Sequence, residues 1–248
     1  MSEVVSHEKA AAHEEHHHEL PFWRKYIFST DHKTIGIQYG ITALLFLFFG
    51  FCLIMLLRWQ LAYPDPTTRP QWLQLAWLAK LLGETRLSFA MISGKASVTM
   101  IPDFYNQLGA MHGTIMVFLG IVPLAVGAFG NYVMPLQIGA PDMAFPKINM
   151  MSYWVYFLGG CVMLYSFFVP GGAPQSGWTS YAPLSVISPV SQTYWLGGMV
   201  FLITSSLLGS LNFIVTIVQM RAKGLSFFRL PFFVWAQFVT AFLLLLAF

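Results

Sequence analysis

Apolar residues gather in five long runs along the chain, at 35–57, 108–130, 150–169, 195–219 and 231–248, separated by polar or Pro/Gly-rich joints. Each approaches the roughly 20 apolar residues that carry a helix across a hydrocarbon core of about 30 Å. The pattern predicts an all-α polytopic membrane protein with five transmembrane helices. The fifth run meets Phe248 with no hydrophilic flank after it, so it reads as an interrupted span. Between the first two runs, an extended outer loop covers 59–106, and its stretch "QWLQLAWLAKLL" (71–82) is too short to span. That stretch predicts a helix lying in the membrane interface. Residues 1–22 form a polar His/Glu-rich tail, set apart from the membrane domain at 23–248, and the tail has no apolar segment of a cleavable signal.

Composition agrees with the pattern and adds an orientation. The 248 residues are 56% hydrophobic and 9% charged, which excludes an ordinary soluble domain. Arg24, Lys25 and Lys33 precede the first run, Lys147 lies between the second and third, and Arg221, Lys223 and Arg229 lie between the fourth and fifth. The loop at 170–194 has no basic residue, so the positive-inside rule puts the N-terminus on the cytoplasmic side. Four basic residues in 59–106 oppose this, but long outer segments weigh little in the rule. Nine of the ten acidic residues lie at or before Asp103, and Asp142 is the tenth. Cys52 and Cys161 each sit in an apolar run and are expected to be packing residues.

Candidate chemistry is confined to few positions. The tail "AHEEHHHEL" (12–20) has ligand-rich residues but no core to fix their geometry, so a solvated tail is expected rather than a defined metal site. His32 is expected at the interface. His112 lies inside an apolar run, where ionisable groups are rare and mark functional cavities. Two uses are open: an imidazole hydrogen-bonded to another helix, or a haem-iron ligand. Gly109, Gly113, Gly120 and Gly127 recur along the same run, giving either a close helix contact or room for a flat cofactor. Arg58 ends the first run at the depth of His112 and offers a cation to such a group. On the inner side, Asp142 lies in a Pro-rich connection between Asn131 and Asn149. It is either a loop carboxylate paired with Lys147 or part of a polar entrance. Ser152, Ser205, Ser206 and Asn212 are polar positions in later spans, suited to helix packing or to a wet path. Trp178 and Tyr181, in an uncharged outer loop, fit belt aromatics or the wall of a site.

The segments "FSTDHKTIG", "MHGTIMVF", "GNYVMPLQIGAPDMAFPKIN", "GWTSYAPLS", "LGSLNFIVTI" and "LPFFVWAQFVTAFLLLL" together resemble subunit I of the haem–copper oxidases, on the cytochrome c oxidase side of that family. The resemblance runs from about Trp23 onward. It implies an N-terminal portion of a twelve-helix bundle in a bacterial plasma membrane, whose complete subunit oxidises cytochrome c and reduces oxygen to water with proton translocation. By resemblance, His112 is one axial ligand of a low-spin haem, of the A type, and Arg58 contacts its ring substituent. Asp142 opens a proton-uptake pathway gated by Asn131 and Asn149 and continued by Tyr39, Ser152, Ser205, Ser206 and Asn212. Trp178 and Tyr181 stand beside the haem propionates. The implied partners are the remainder of subunit I or a companion chain, subunits II and III, cytochrome c and membrane lipid, with no nucleic acid.

Departures accompany the likeness. The outer loop is about thirty residues longer than in compact relatives, Met150 replaces a second asparagine, and Gly198 stands where a serine of the route is expected. Phe104 occupies a position where quinol-oxidising relatives carry histidine, which favours cytochrome c as donor. No histidine follows His112 and no acid follows Asp142, so the high-spin haem and copper of the complete subunit have no ligands here. This segment is therefore expected to be inactive alone. A quinol oxidase is the rival within the family, and a non-redox transporter or scaffold the rival outside it.

Overall fold

The computed structural model describes residues 21–65, 87–92 and 95–247. The His/Glu-rich stretch at 12–20 and the interfacial helix expected at 71–82 lie outside the described residues. Within them the chain forms helices α1 (His32–Ala62), α2 (Pro102–Ile138), α3 (Pro146–Tyr165), the short α4 (Leu184–Ile187), α5 (Ser191–Gln219) and α6 (Phe232–Ala247). Four of these, α1, α2, α3 with its extension to Phe168, and α5, are long and apolar enough to cross a membrane. The fifth expected span is present as α6, an apolar helix of 16 residues. One element was not anticipated. Strands β1 (Leu87–Ile92) and β2 (Lys95–Met100) pair antiparallel within the outer segment, with Leu87 opposite Met100.

Local chemistry sets the helix starts. Asp31 caps α1 by accepting from the Thr34 N–H at 3.0 Å, and Pro102 and Pro146 open α2 and α3, where a missing N–H costs no helical bond. Ahead of α1, a single wide turn at Trp23–Ile27 exposes Phe22, Trp23 and Tyr26, an aromatic cluster suited to a membrane interface. Gln38 ties this turn to α1 through the carbonyls of Tyr26 and Ile27, at 2.6 and 2.9 Å.

Helices α1 and α2 run antiparallel, and their contacts step evenly along both. Gly109 meets Leu57, Gly120 meets Leu47 and Gly127 meets the ring of Tyr39. Three of the four stripe glycines therefore serve close helix packing, while Gly113 faces open space. Helices α3 and α5 pack as a second antiparallel pair around Gly159 and Gly198. A Cβ on either glycine would lie 3.0 Å from the other's carbonyl oxygen. Gly198 thus sits at a backbone-to-backbone contact with no room for the serine expected from the resemblance.

In its middle α2 departs from regular α geometry, with π-helical turns at Ile115–Ile121 and Pro123–Ala128. Such turns gather at functional sites and require backbone groups to find new partners. Neighbouring helices provide them. Tyr156 of α3 donates to the Leu119 carbonyl at 2.7 Å, and Gln237 of α6 donates to the Ala125 carbonyl at 3.0 Å. The main apolar core, centred on Ile35, Leu108, Ile115, Leu119 and Tyr156, joins α1, α2 and α3. A second, around Met134, Ile138, Phe213 and Val234, joins α2, α5 and α6.

Candidate functional site

His112 stands on the regular part of α2, just before the first π turn. Its Nδ1 lies 2.9 Å from the carbonyl oxygen of Gly50 on α1. A carbonyl accepts only, so Nδ1 carries the proton, and in the neutral imidazole Nε2 keeps its lone pair. A hydrogen bond of this kind fixes the tautomer and ring orientation of metal-bound imidazoles. Gly50 keeps this contact uncrowded, since a Cβ there would lie 2.8 Å from Met116 Sδ and the methionine side chain would have to shift. Gly113, next to His112, has nothing within 4 Å of where its Cβ would be. The half-buried imidazole, its ready Nε2 and the open space beside it fit one face of a haem. Arg58 is exposed near the end of α1, about one helical turn, roughly 6 Å, beyond the level of His112. Phe104 is buried in the main core.

The second candidate region lies between α1, α2, α3 and α5. A cavity of about 120 Å³ is lined by Tyr39, Asn131, Ser152, Ser205, Ser206 and Ser210, with apolar walls that include Phe118 and Pro123. Five of the eight residues expected on a wet path thus share one wall. Tyr39 donates to Ser152 Oγ at 3.1 Å and lies 3.3 Å from Ser205 Oγ. Ser152 donates to the Asn149 carbonyl at 2.7 Å, and Ser205 to the Ser152 carbonyl at 2.6 Å. Asn131 donates to the Gly127 carbonyl at 2.6 Å and leaves its Oδ1 without a partner among the described residues.

Asp142, Asn149 and Asn212 lie outside that wall. The Asp142 carboxylate is half-buried and accepts from the Met143 N–H at 2.7 Å, and among the described residues it forms no ion pair with the exposed Lys147. Asn149 is 1% exposed, with neither amide atom partnered among the described residues. Asn212 clamps the Phe145 backbone from both sides, accepting from its N–H at 2.9 Å and donating to its carbonyl at 3.3 Å. Thr216 adds a bond from the Ala144 N–H at 3.0 Å. Helix α5 therefore holds the loop that carries Asp142.

Two residues need correction or addition. His32, expected at the interface, is 2% exposed, and its Nδ1 lies 2.8 Å from the Asn131 carbonyl. Burial on the α2 side of α1 removes it from the lipid boundary. Ser210 lines the cavity but was not singled out, since one serine in an apolar run looks like any helix-packing hydroxyl. Trp178 and Tyr181 are exposed in the loop before α4, and the Trp178 ring sits 6.0 Å from that of Phe118. The described residues contain no group of three or more His, Cys, Asp or Glu able to hold a metal ion.

A family model described as "Cytochrome C and Quinol oxidase polypeptide I" matches residues 34–248. The chain belongs to this family. Its membrane-crossing helices make it a multi-pass membrane protein. It is 40% identical over 227 residues to cytochrome c oxidase subunit 1 of Synechocystis sp., a match covering 91% of this chain and 35% of that protein. It is 39% identical over 250 residues to the probable cytochrome c oxidase subunit 1-alpha of Streptomyces avermitilis, covering 96% of this chain and 38% of that protein. With the alternative cytochrome c oxidase subunit 1 of Bradyrhizobium diazoefficiens the identity is 36% over 237 residues, covering 94% and 35%. The chain thus spans little more than a third of the length of these relatives.

Proposed function

We propose that the chain forms the N-terminal portion of subunit I of a terminal respiratory oxidase that oxidises cytochrome c and reduces oxygen to water with proton translocation. The observation that best supports this is the His112–Gly50 hydrogen bond, which leaves Nε2 ready to bind iron beside the open space at Gly113. His112 would hold the iron of a low-spin haem of the A type through Nε2, and Arg58 would meet that haem's ring substituent. The haem would take up and pass on single electrons. Gly50 keeps the imidazole in one tautomer, and the Gly109–Leu57 contact keeps the ends of α1 and α2 in register. Trp178 and Tyr181 would stand beside the haem propionates, with Trp178 packed near Phe118 of the helix that carries His112.

Protons enter past Asp142, steadied by the loop that Asn212 clamps, and pass the Asn131 and Asn149 gate. They continue through the hydroxyls of Tyr39, Ser152, Ser205 and Ser206, which share one cavity. The Tyr39 hydroxyl lies 3.1 Å from that of Ser152 and 3.3 Å from that of Ser205, so hydrogen bonds among these three can rearrange without helix motion. The high-spin haem and copper belong to the remainder of subunit I or a companion chain. Subunits II and III, cytochrome c and membrane lipid are the partners, and the setting is a bacterial plasma membrane with a cytoplasmic N-terminus.

The test is a reduced-minus-oxidised spectrum and a mass analysis of the purified complex. A low-spin haem signal, with the missing histidines on a longer product or a second polypeptide, is expected. A complex with no haem would sink the proposal. Turnover with reduced cytochrome c rather than quinol distinguishes the two donors.

A further inference from the structure

Ser210 lies on α5 with 2% of its surface exposed, and its Oγ has no hydrogen-bond partner among the described residues. Serine and threonine hydroxyls on a helix can bond back to the carbonyl four residues earlier, and two threonines of α5 do so. Thr204 bonds the Val200 carbonyl at 2.8 Å, and Thr216 the Asn212 carbonyl at 2.6 Å. Ser210 instead lines the cavity beside Gly209, where a Cβ would meet nothing within 4 Å. Asn131 lines the same cavity with its own Oδ1 unpartnered. A buried hydroxyl and a buried carbonyl oxygen facing one space need a donor and acceptor between them. Water supplies both, and the cavity's roughly 120 Å³ has room for several molecules.

We infer that Ser210 is a water-holding hydroxyl of this cavity, and that its water links Ser210 to Asn131. The water donates to Asn131 Oδ1 and accepts from Ser210 Oγ, so both buried groups are satisfied. The link adds one hydrogen-bonding step to the proton route. That step rests on the function proposed above, whereas the water site itself does not.

The experiment is a high-resolution map of the complete oxidase complex with Ser210 intact and with Ser210→Ala, alongside proton-uptake kinetics of both. Expected are an ordered water within hydrogen-bonding distance of Ser210 Oγ, its loss or displacement in the alanine variant, and proton uptake slowed about three- to tenfold with haem spectra unchanged. A Ser210 hydroxyl bonded to a protein group with no water beside it would overturn the water site, and unchanged uptake would overturn the step. Asp142→Asn separates the two readings. Slowed uptake there with a dry Ser210 leaves the route standing and removes Ser210 from it. A water at Ser210 with uptake insensitive to Asp142→Asn leaves the site standing and removes the route.

Discussion

The hydroxyl of Tyr156 donates to the carbonyl oxygen of Leu119 at 2.7 Å, across the boundary between α3 and α2. Leu119 is the residue whose carbonyl would receive the N–H of position 123 in a regular helix, and Pro123 has none. A side chain from one helix thus serves the backbone of another inside an apolar region, where water cannot. The bond braces α2 between His112 and Asn131. Tyr156→Phe removes the donor and leaves the ring in its place. The expected cost is about 1 kcal/mol, near the middle of measured interhelical hydrogen bonds, seen as a lower unfolding midpoint of the purified complex. An unchanged midpoint would show that the π turns hold without it.

Gly198→Ser tests the contact between α3 and α5. The new Cβ would lie 3.0 Å from the Gly159 carbonyl oxygen, a backbone atom that cannot rotate away. Overpacking of this kind costs about 1–3 kcal/mol, so the variant should assemble poorly or melt earlier. Wild-type stability would mean that the helices separate without penalty. Adding a serine there is not expected to improve proton uptake.

Asn212→Ala should free the loop that carries Asp142. It removes both of its own bonds to the Phe145 backbone and leaves those of Thr216, from the Ala144 N–H and to Met143 Sδ. A loss of about 1–2 kcal/mol for the loop is expected from the broken pair. Faster amide exchange at residues 143–145, with the rest of α5 unchanged, is the measurement.

Asp142→Asn should slow proton uptake severely while leaving haem content and spectra intact. The amide keeps the size of the side chain and its acceptor for the Met143 N–H, but cannot carry the proton onward. Uptake at the wild-type rate would remove Asp142 from the route.

The helices were legible because a bilayer imposes a simple rule, about 20 apolar residues per crossing, and α1, α2, α3 and α5 follow it. The hairpin β1–β2 escaped although Lys95–Met100 alternates strictly between polar and apolar residues, because its partner Leu87–Ile92 loses that alternation in the apolar run Ala90–Ile92. Candidate positions were readable where a polar group interrupts an apolar run, as at His112, Ser152 and Ser205. What each one touches was not readable, since that depends on helix pairing. The glycines of α2 show this. One spacing supported both a helix contact and a cofactor cradle, and the structure divides them, with Gly109, Gly120 and Gly127 on the first and Gly113 open. The surroundings of His32 and Ser210 were hidden for the same reason, because one meets Asn131 on another helix and the other lines a cavity shared with it.

The central claim is that His112 holds a haem iron. It is tested most directly by the optical spectrum of the assembled complex carrying His112→Ala, in a preparation that retains its high-spin haem. Loss of the low-spin haem signal is predicted. A low-spin signal unchanged in shape and in amount per complex would contradict the assignment and return His112 to the role of a hydrogen-bonded packing residue.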